Sequence, residues 1–276
     1  AHAYGDERRT MIVERVAAQA LDETQLGASE PVTVVLSKRG WARSAKGHEI
    51  DPLTLSYKSG DGYLAAAPGR SNQLAMFIDS TGRVYSCLAH TLPSARGQGE
   101  PLSGRFKPPD GAEFCGAMIG EADDRYLLAS DAGYVFVATL EELVSRNNAG
   151  KSILRVPAGG KAVVPSPVPR DVECLVAGVS SIGRLLCFEM EELPELAKGK
   201  GVKLINIPTK KYKEGEERLV AACIIPEEGN LQVHTATRMM TLKWNDLDDY
   251  YGERALRGSL LPKGWRKVER LTAETA

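Results

Sequence analysis

Paired cysteines are missing from this chain of 276 residues. The number of cysteines is odd, and no two of them stand at the CxxC spacing of a zinc or redox site. The four histidines are scattered and add no metal-ligand spacing. The sequence therefore predicts neither a disulfide framework nor a metal site, and free thiols fit a reducing, cytoplasmic compartment. The cysteines are Cys87, Cys115, Cys174, Cys187 and Cys223.

Long apolar runs and an excess of one charge are missing as well. No stretch approaches the roughly 20 apolar residues that a membrane span needs, and the first residues lack the pattern of a signal peptide. We therefore expect no membrane association. The formal net charge of −1 argues against a uniformly basic protein that coats nucleic acid. With 43% hydrophobic and 26% charged residues, the chain has the composition of an ordinary globular protein.

Complete catalytic and cofactor motifs are also absent from the sequence. Gly150-Lys151-Ser152 resembles the end of a phosphate-binding P-loop, but that motif needs a glycine where this chain has Ser145. No Ser/His/Asp or Cys/His set suggests a nucleophile. We therefore expect no catalytic residue, no metal and no cofactor in this chain.

What the chain does contain is a module that recurs about every 50 residues, a period typical of blades or solenoid units. Each copy has two apolar strands around a tight glycine turn, followed by a small basic loop that also contains glycine. The step from turn glycine to loop glycine is 17, 17 and 18 residues in the three clearest copies. These glycine pairs are Gly82 and Gly99, Gly133 and Gly150, and Gly183 and Gly201, and the hairpins are Leu74–Ser86, Tyr126–Thr139 and Cys174–Phe188.

Weaker copies at both ends bring the number of units to five. Terminal repeats are expected to be atypical because one of their faces has no neighbour. The sequence therefore predicts one all-β domain over residues 29–276. Residues 1–28 contain an amphipathic pattern and predict a helical connector from an upstream domain. The predicted units are roughly 30–70, 71–120, 121–170, 171–224 and 225–270.

Charge is unevenly distributed along the chain although it nearly cancels overall. Residues 32–107 and residues 195–213 each carry a net charge of +5, whereas residues 108–156 carry −4. Two basic surfaces separated by acidic ones can bind a polyanion locally while the molecule stays near neutral. The alternative is that these are ordinary solvated faces. The periodic placement of the basic loops favours binding.

Seven segments of the sequence match one protein family in detail. They are Val34–Arg43, Lys46–His48, Leu55–Asp61, Asp79–Arg83, Leu92–Leu102, Ala129–Tyr134 and Lys198–Gly201. These segments closely resemble the C-terminal domain of the A subunit (ParC) of bacterial topoisomerase IV. The resemblance extends over the whole chain, and Tyr4–Arg9 resembles the family's segment leading out of the breakage–reunion core. The QRRGGKG box of the gyrase A protein is missing from the corresponding loop, Trp41–His48, so tight gyrase-style wrapping of DNA is not implied.

The resemblance implies a β-pinwheel, a propeller-like ring of about five four-stranded blades in which neighbouring blades exchange a strand. It implies non-specific binding and bending of duplex DNA on the outer rim, selecting crossings or supercoils for decatenation or relaxation by the whole enzyme. The catalytic tyrosine, ATP and Mg²⁺ would then lie elsewhere in that enzyme. The fragment would be monomeric, the full-length protein dimeric, and ParE its partner, in the bacterial cytoplasm at the nucleoid. A propeller-like module for an acidic or condensin-like protein partner is the alternative.

Candidate DNA contacts are the cations and one histidine of the turns and loops, because phosphate binding needs positive side chains near the surface. We expect the strongest binding on residues 32–107, with the loop at 198–203 as a secondary contact. The acidic stretch at 108–156 is expected to interrupt the path. The candidates are Lys38, Arg39, Arg43, Lys46, His48, Arg83, Arg96, Lys151, Arg184, Lys198, Lys200, Lys203 and Arg257.

Overall fold

Short antiparallel strands separated by glycine turns make up most of the protein, which a computed structural model describes over residues 29–274. The predicted connector at 1–28 lies outside the described residues. Within them no helix is long and apolar enough to cross a membrane. The strands are β1 (Pro31–Ser37), β2 (Trp41–Lys46), β3 (Tyr63–Arg70), β4 (Leu74–Asp79), β5 (Arg83–Leu88), β6 (Glu100–Pro101), β7 (Phe114–Met118), β8 (Arg125–Ala129), β9 (Tyr134–Thr139), β10 (Lys151–Ser152), β11 (Ser166–Val168), β12 (Cys174–Ser180), β13 (Arg184–Glu189), β14 (Val202–Lys203), β15 (Leu219–Pro226), β16 (Asn230–His234), β17 (Met239–Leu242), β18 (Ser259–Leu260) and β19 (Arg270–Glu274).

Between residues 29 and 274, helical structure is confined to short connections between these strands. Two α-helical turns occur in the described range, together with short 3₁₀ segments that mostly follow the ends of strands. The helices are α1 (Leu140–Leu143) and α2 (Thr209–Lys213), and the 3₁₀ segments are Pro52–Thr54, Ala89–Thr91, Leu102–Gly104, Met190–Glu192 and Trp244–Tyr250.

The strands form five sheets, which we call blades 1 to 5. Their strand orders are β3-β1-β2-β6, β7-β4-β5-β10, β11-β8-β9-β14, β15-β12-β13-β18 and β19-β16-β17, written from the centre of the ring outward. The prediction of an all-β, five-bladed domain is confirmed. Blades 1 to 4 have four strands each, whereas blade 5 has three among the described residues.

Each of blades 1 to 4 receives its outermost strand from the unit that follows it in the chain. Strand β6 comes after the β4–β5 hairpin but pairs back with β2, where Trp41 faces Pro101 and Ala42 faces Glu100. Strands β10, β14 and β18 return in the same way to β5, β9 and β13. The strand exchange expected of a pinwheel is therefore present.

A buried leucine follows each exchanged strand and bonds to the hairpin turn of the blade that it completes. The leucine N–H donates to the carbonyl oxygen of the turn glycine at 2.9, 3.0, 2.8 and 2.9 Å in blades 1 to 4. None of these leucines is more than 1% exposed, and burying such a side chain contributes about 1.5–3 kcal/mol. The pairs are Leu102 with Gly40, Leu154 with Gly82, Leu204 with Gly133, and Leu261 with Gly183.

The loop glycines are required because each exchanged strand enters very close to the strand beneath it. Gly99, Gly201 and Gly258 all have positive φ, and a Cβ added to them would lie 2.4, 2.1 and 2.5 Å from a carbonyl oxygen of β2, β9 and β13. The close neighbour of each of these glycines is therefore the backbone of the preceding blade.

The innermost strands of the five blades surround a central cavity of about 560 Å³. Small side chains such as Ala65, Ala117 and Ala221 line its wall, which lets the strands converge. Blade 5 meets blade 1 beside this cavity, where the Arg270 guanidinium lies 5.4 Å from the centre of the Tyr63 ring. The hydrophobic core itself lies between adjacent blades, in clusters that each draw on neighbouring sheets.

The two faces of the ring carry different connections. The hairpin turns at 38–40, 80–82, 131–133, 181–183 and 235–238 share one face, which we call the turn face. The links that lead from one blade to the next, at 71–73, 119–124, 169–173 and 227–229, share the opposite face, which we call the link face.

Candidate nucleic-acid interface

Four loops lie along the outer edges of blades 1 to 4, each just before an exchanged strand. We call them rim loops 1 to 4; they span residues 94–99, 145–150, 195–201 and 251–258. Rim loops 1, 3 and 4 make the same backbone bond, to the residue four positions after the turn glycine. Their N–H groups donate to the carbonyls of Ser44, Val137 and Cys187 at 3.0, 2.8 and 3.0 Å. Rim loop 2 bonds at the same position, where Ser145 N donates to Ser86 Oγ at 3.0 Å.

Backbone hydrogen bonds join successive rim loops into one continuous belt. The chain that leaves each exchanged strand runs directly against the next rim loop. Lys107 N donates to Asn148 O at 2.7 Å, and Arg155 N donates to Gly199 O at 2.8 Å. Between rim loops 3 and 4, Asn206 N donates to Leu256 O at 2.9 Å. A ligand that follows the outer edge therefore meets the loops in chain order.

The first three parts of this belt are basic. Residues 94–107, 146–155 and 195–206 carry net charges of +2, +3 and +2. Arg96, Lys198 and Lys200 from the sequence prediction are exposed there. The structure adds exposed Arg146 and Arg155, which the sequence analysis missed although both lie within five residues of the loop glycine Gly150.

Part of the acidic stretch 108–156 lies away from this belt, but Glu141 and Glu142 are exposed in α1 just before rim loop 2, so the expected interruption of the path stays a prediction. Asp131 is 1% exposed and is paired with Arg218 at 2.8 Å. Asp123 and Asp124 are at the link face, where both bind Arg170 at 2.6 Å. A net charge summed along the sequence therefore does not by itself give the charge of the rim.

The predicted cations of the first hairpin, Lys38, Arg39, Arg43 and Lys46, are spread along β2 and the turn before it. Lys38 and Arg39 are exposed in the hairpin turn. Lys46 lies at the other end of β2, about 17 Å away at 3.3 Å per residue, and is 3.9 Å from Glu30. His48 is at that same end, with its Nε2 2.8 Å from Gly69 O.

Three predicted phosphate contacts instead hold the rim loops to the strands beneath. Arg43 is 2% exposed, and its Nη1 donates to Gly97 O at 2.7 Å. Arg83 Nη1 lies 3.3 Å from Gly150 O. Arg184 Nη1 donates to Gly258 O at 2.9 Å. These guanidiniums act as latches because each satisfies a carbonyl at the turn into an exchanged strand.

The remaining predicted cations also have partners within the protein. Arg257 makes two 2.9 Å bonds to the fully buried carboxylate of Glu217. Lys151 Nζ donates to Glu142 O at 2.6 Å, and Lys200 Nζ lies 3.9 Å from the centre of the Tyr134 ring. Lys203 is half-buried in β14. Of these, the exposed Lys200 is best placed to reach a ligand.

Hydrogen bonds to the partly buried carboxylate of Asp61 fix the turn that presents Lys38 and Arg39. Asp61 accepts from Ser37 Oγ at 2.6 Å and from Arg39 N at 3.0 Å. Partial burial opposes ionisation of Asp61, but these hydrogen bonds and one from the Gly62 N–H outweigh it and lower the pKa of the carboxyl. The turn is therefore held in one conformation at neutral pH.

Thiol chemistry does not contribute to the rim. Burial raises the pKa of Cys115 and of Cys187 to about 12, which keeps both thiols protonated and unreactive at neutral pH. Within residues 29–274, no group of three or more His, Cys, Asp or Glu side chains is arranged to hold a metal ion.

Replacing the latch Arg43 with methionine is expected to lower the free energy of unfolding by about 1–3 kcal/mol, because a buried charge-assisted bond to Gly97 O is lost. Urea unfolding of the variant measures this. Arg39→Met removes an exposed cation nearby and is the control, with an expected change within about 0.5 kcal/mol. Equal effects of the two substitutions would show that the bond from Arg43 to Gly97 O does not stabilise the protein.

Comparison with known proteins gives consistent matches to one kind of domain. The family model described as the DNA gyrase C-terminal domain, beta-propeller, matches residues 124–169 and 177–224. The A subunit of DNA topoisomerase 4 from Pseudomonas aeruginosa is 52% identical over 275 residues, covering 99% of this chain and 36% of that protein. The Escherichia coli K12 protein of the same name is 44% identical, covering 100% of this chain and 36% of that protein. The chain thus spans about a third of the length of these relatives.

Solved structures match the same fold. The structure of the E. coli ParC C-terminal domain has a TM-score of 0.73 and 42% identity, covering 90% of this chain and 100% of that chain. A DNA gyrase A C-terminal domain structure has a TM-score of 0.65 at 15% identity, covering 89% of this chain and 83% of that one. The second match supports the fold alone.

Proposed function

This chain belongs to the family of C-terminal domains of ParC, the A subunit of DNA topoisomerase IV, and on that premise we propose that it binds duplex DNA along its basic rim. The observation that carries the proposal is the belt of rim loops 1 to 3. Three consecutive parts of that belt have net positive charge, and backbone bonds join them in order along the outer edge.

The proposed contact is to the phosphate backbone and is independent of base sequence. The rim offers exposed Arg and Lys tips such as Arg96, Arg155 and Lys198. It is the convex edge of a ring, not an element shaped to enter a groove. Cations that neutralise phosphates release counterions, so binding weakens steeply as salt rises.

A convex basic edge also favours bending of the bound DNA. Smoothly bending 20–30 bp by 40–90° costs on the order of 1–6 kcal/mol. Phosphate contacts spread over three blades can offset that cost because each further contact forms only when the duplex follows the edge. We propose that this bending selects crossed or supercoiled DNA for decatenation and relaxation by the whole enzyme.

The remaining parts of the enzyme's activity are proposed to lie outside this chain. The catalytic tyrosine, ATP and Mg²⁺ would belong to other parts of a dimeric ParC and to its partner ParE, at the bacterial nucleoid. This domain would then be non-catalytic. Supercoil relaxation by the purified 276-residue chain alone would contradict that assignment.

The proposed function is tested by fluorescence anisotropy of the chain with labelled duplexes of unrelated sequence. We expect equal affinities for these duplexes at each salt concentration and a linear fall of log K with log salt. Strong discrimination between sequences, or no binding at low salt, would contradict the proposal. Binding of an acidic protein in place of DNA would instead support the alternative of a protein-interaction module.

A further inference from the structure

The outer edge of blade 4 differs from those of blades 2 and 3. On the exchanged strands, blades 2 and 3 place Ser152 and Lys203 opposite the residue that follows the turn glycine. Blade 1 places Pro101 there, and blade 4 places Leu260 there, opposite Arg184. Blade 4 thus carries the largest apolar side chain at this repeated position.

A second position shows the same departure. The residue that forms the isolated parallel bridge to the blade's second strand is Ser94 in blade 1 and Glu195 in blade 3. In blade 4 it is Tyr251, which bridges Cys187. At these two positions blade 4 therefore presents a leucine side chain and a tyrosine ring on the outermost edge of the ring.

Together with Leu256 of rim loop 4, these residues form an exposed apolar stripe along β13. Tyr251 and Leu256 are each 50% exposed, and Leu260 is 41% exposed. The stripe extends from the level of Cys187 to that of Arg184, three residues along β13, or about 10 Å. Apolar side chains grouped on a surface in this way mark an interaction site more often than single exposed ones do.

Acidic residues surround the stripe, and all of them are exposed. The Tyr251 hydroxyl donates to Glu189 Oε1 at 2.9 Å, and Arg254 lies 3.9 Å from Glu192. Arg184, Arg254 and Arg257 also lie here, but each is half-buried and donates to an oxygen of the protein. The exposed charge beside the stripe is therefore mainly acidic, which disfavours phosphate. The acidic residues are Glu189, Glu191, Glu192, Asp246, Asp248, Asp249 and Glu253.

We propose that this blade 4 edge docks a protein segment that presents lysine or arginine side chains around an aliphatic centre. Charge complementarity selects the basic partner, and the stripe supplies the apolar contact. The 28 residues that precede the described range have a net charge of −2, so they are not complementary to it. The proposal does not depend on DNA binding, which uses the other blades.

A synthetic amphipathic peptide of leucine and lysine is the probe, titrated by calorimetry into the 276-residue chain. The triple variant Tyr251→Ser, Leu256→Ser, Leu260→Ser keeps every acidic residue, and its affinity is expected to fall at least about tenfold. The matched control Leu53→Ser, Val164→Ser, Val172→Ser removes three exposed apolar side chains elsewhere and is expected to bind the peptide like the parent. Duplex binding should be unchanged in both variants, which separates this result from failure of the proposed DNA function.

Three outcomes would overturn the assignment. The first is an unchanged affinity of the stripe variant for the peptide, because binding would then depend on the acidic residues and not on the apolar side chains. The second is equal binding of a leucine–glutamate peptide of the same length. The third is self-association of the parent chain in sedimentation experiments that the stripe variant abolishes, because the occupant would then be a second copy of this chain.

Discussion

Replacing Arg96, Arg155 and Lys198 with glutamine is expected to weaken duplex binding more than any equal change of charge elsewhere on the ring. These side chains come from three successive parts of the belt and are exposed, so each can reach phosphate without breaking an internal bond. Each lost phosphate contact removes about 0.9 from the log–log salt slope, or about 2.7 for the three. Anisotropy titrations at several salt concentrations measure both the affinity and the slope.

The matched control for this experiment lies on the link face. Lys46, Arg70 and Lys243 are also exposed cations, and their replacement by glutamine changes the net charge by the same amount. If DNA follows the rim, the control loses only a small, general electrostatic contribution and keeps its slope. Equal losses in the two variants would show that overall charge, not the rim, governs binding.

The rim substitutions are also expected to affect the activities of the intact enzyme unequally. With the rim variant in full-length ParC, we expect decatenation and supercoil relaxation to fall more than cleavage of a short linear duplex. The reason is the proposed role of bending: crossed or supercoiled DNA would be captured through it, whereas a short linear duplex would reach the cleavage site without it. Equal losses in all these assays would argue against a role for the rim in selecting DNA geometry.

Gly201→Ala is expected to lower the free energy of unfolding by at least about 2 kcal/mol more than Gly215→Ala does. Both glycines have nearly the same backbone, with φ of +77° and +75°, so both substitutions incur the left-handed cost of about 1–2 kcal/mol. Only Gly201 would place its Cβ 2.1 Å from Val135 O, whereas nothing lies within 4 Å at Gly215. The difference between the variants therefore isolates the close approach of the exchanged strand.

The clash at Gly201 can be relieved only if β14 moves away from β9. That movement would break the pairing of Val202 with Val135 and of Lys203 with Tyr134. Thermal unfolding measures the result, with about 2–4 °C lost for each kcal/mol in a chain of about this size. If the two variants melt at the same temperature, close strand entry contributes nothing to stability.

Local sequence was sufficient to predict the hairpins and their order. A turn glycine can be recognised from the residues around it, because the tight turn itself requires a positive φ. Gly82, Gly133 and Gly183 have such a φ. The 17- or 18-residue step to the loop glycine also marked where each exchanged strand begins, although its partner could not be inferred from the step alone. The resemblance to a known family supplied the strand exchange.

The candidate site was predicted less well. Residue type alone does not distinguish an arginine that holds a rim loop to the strand beneath it from one that is exposed to a ligand. Arg43 and Arg96 are both arginines of the first basic region, yet one is buried against Gly97 O and the other is exposed. The difference arises because rim loop 1, about 50 residues after β2, folds back onto it. No pattern within either segment records that contact.

The sequence by itself determined the all-β class, the number of blades and the places where the chain must turn, since these follow from periodic apolar strands and from glycines with positive φ. Tertiary structure decided which charges reach the rim. Strand exchange brings Arg146 and Arg155 to the outer edge and buries Asp131 inside. The physical reason is that the exposure of a charged side chain and its electrostatic potential depend on neighbours that other blades contribute. A sum of charges along the sequence does not contain that information.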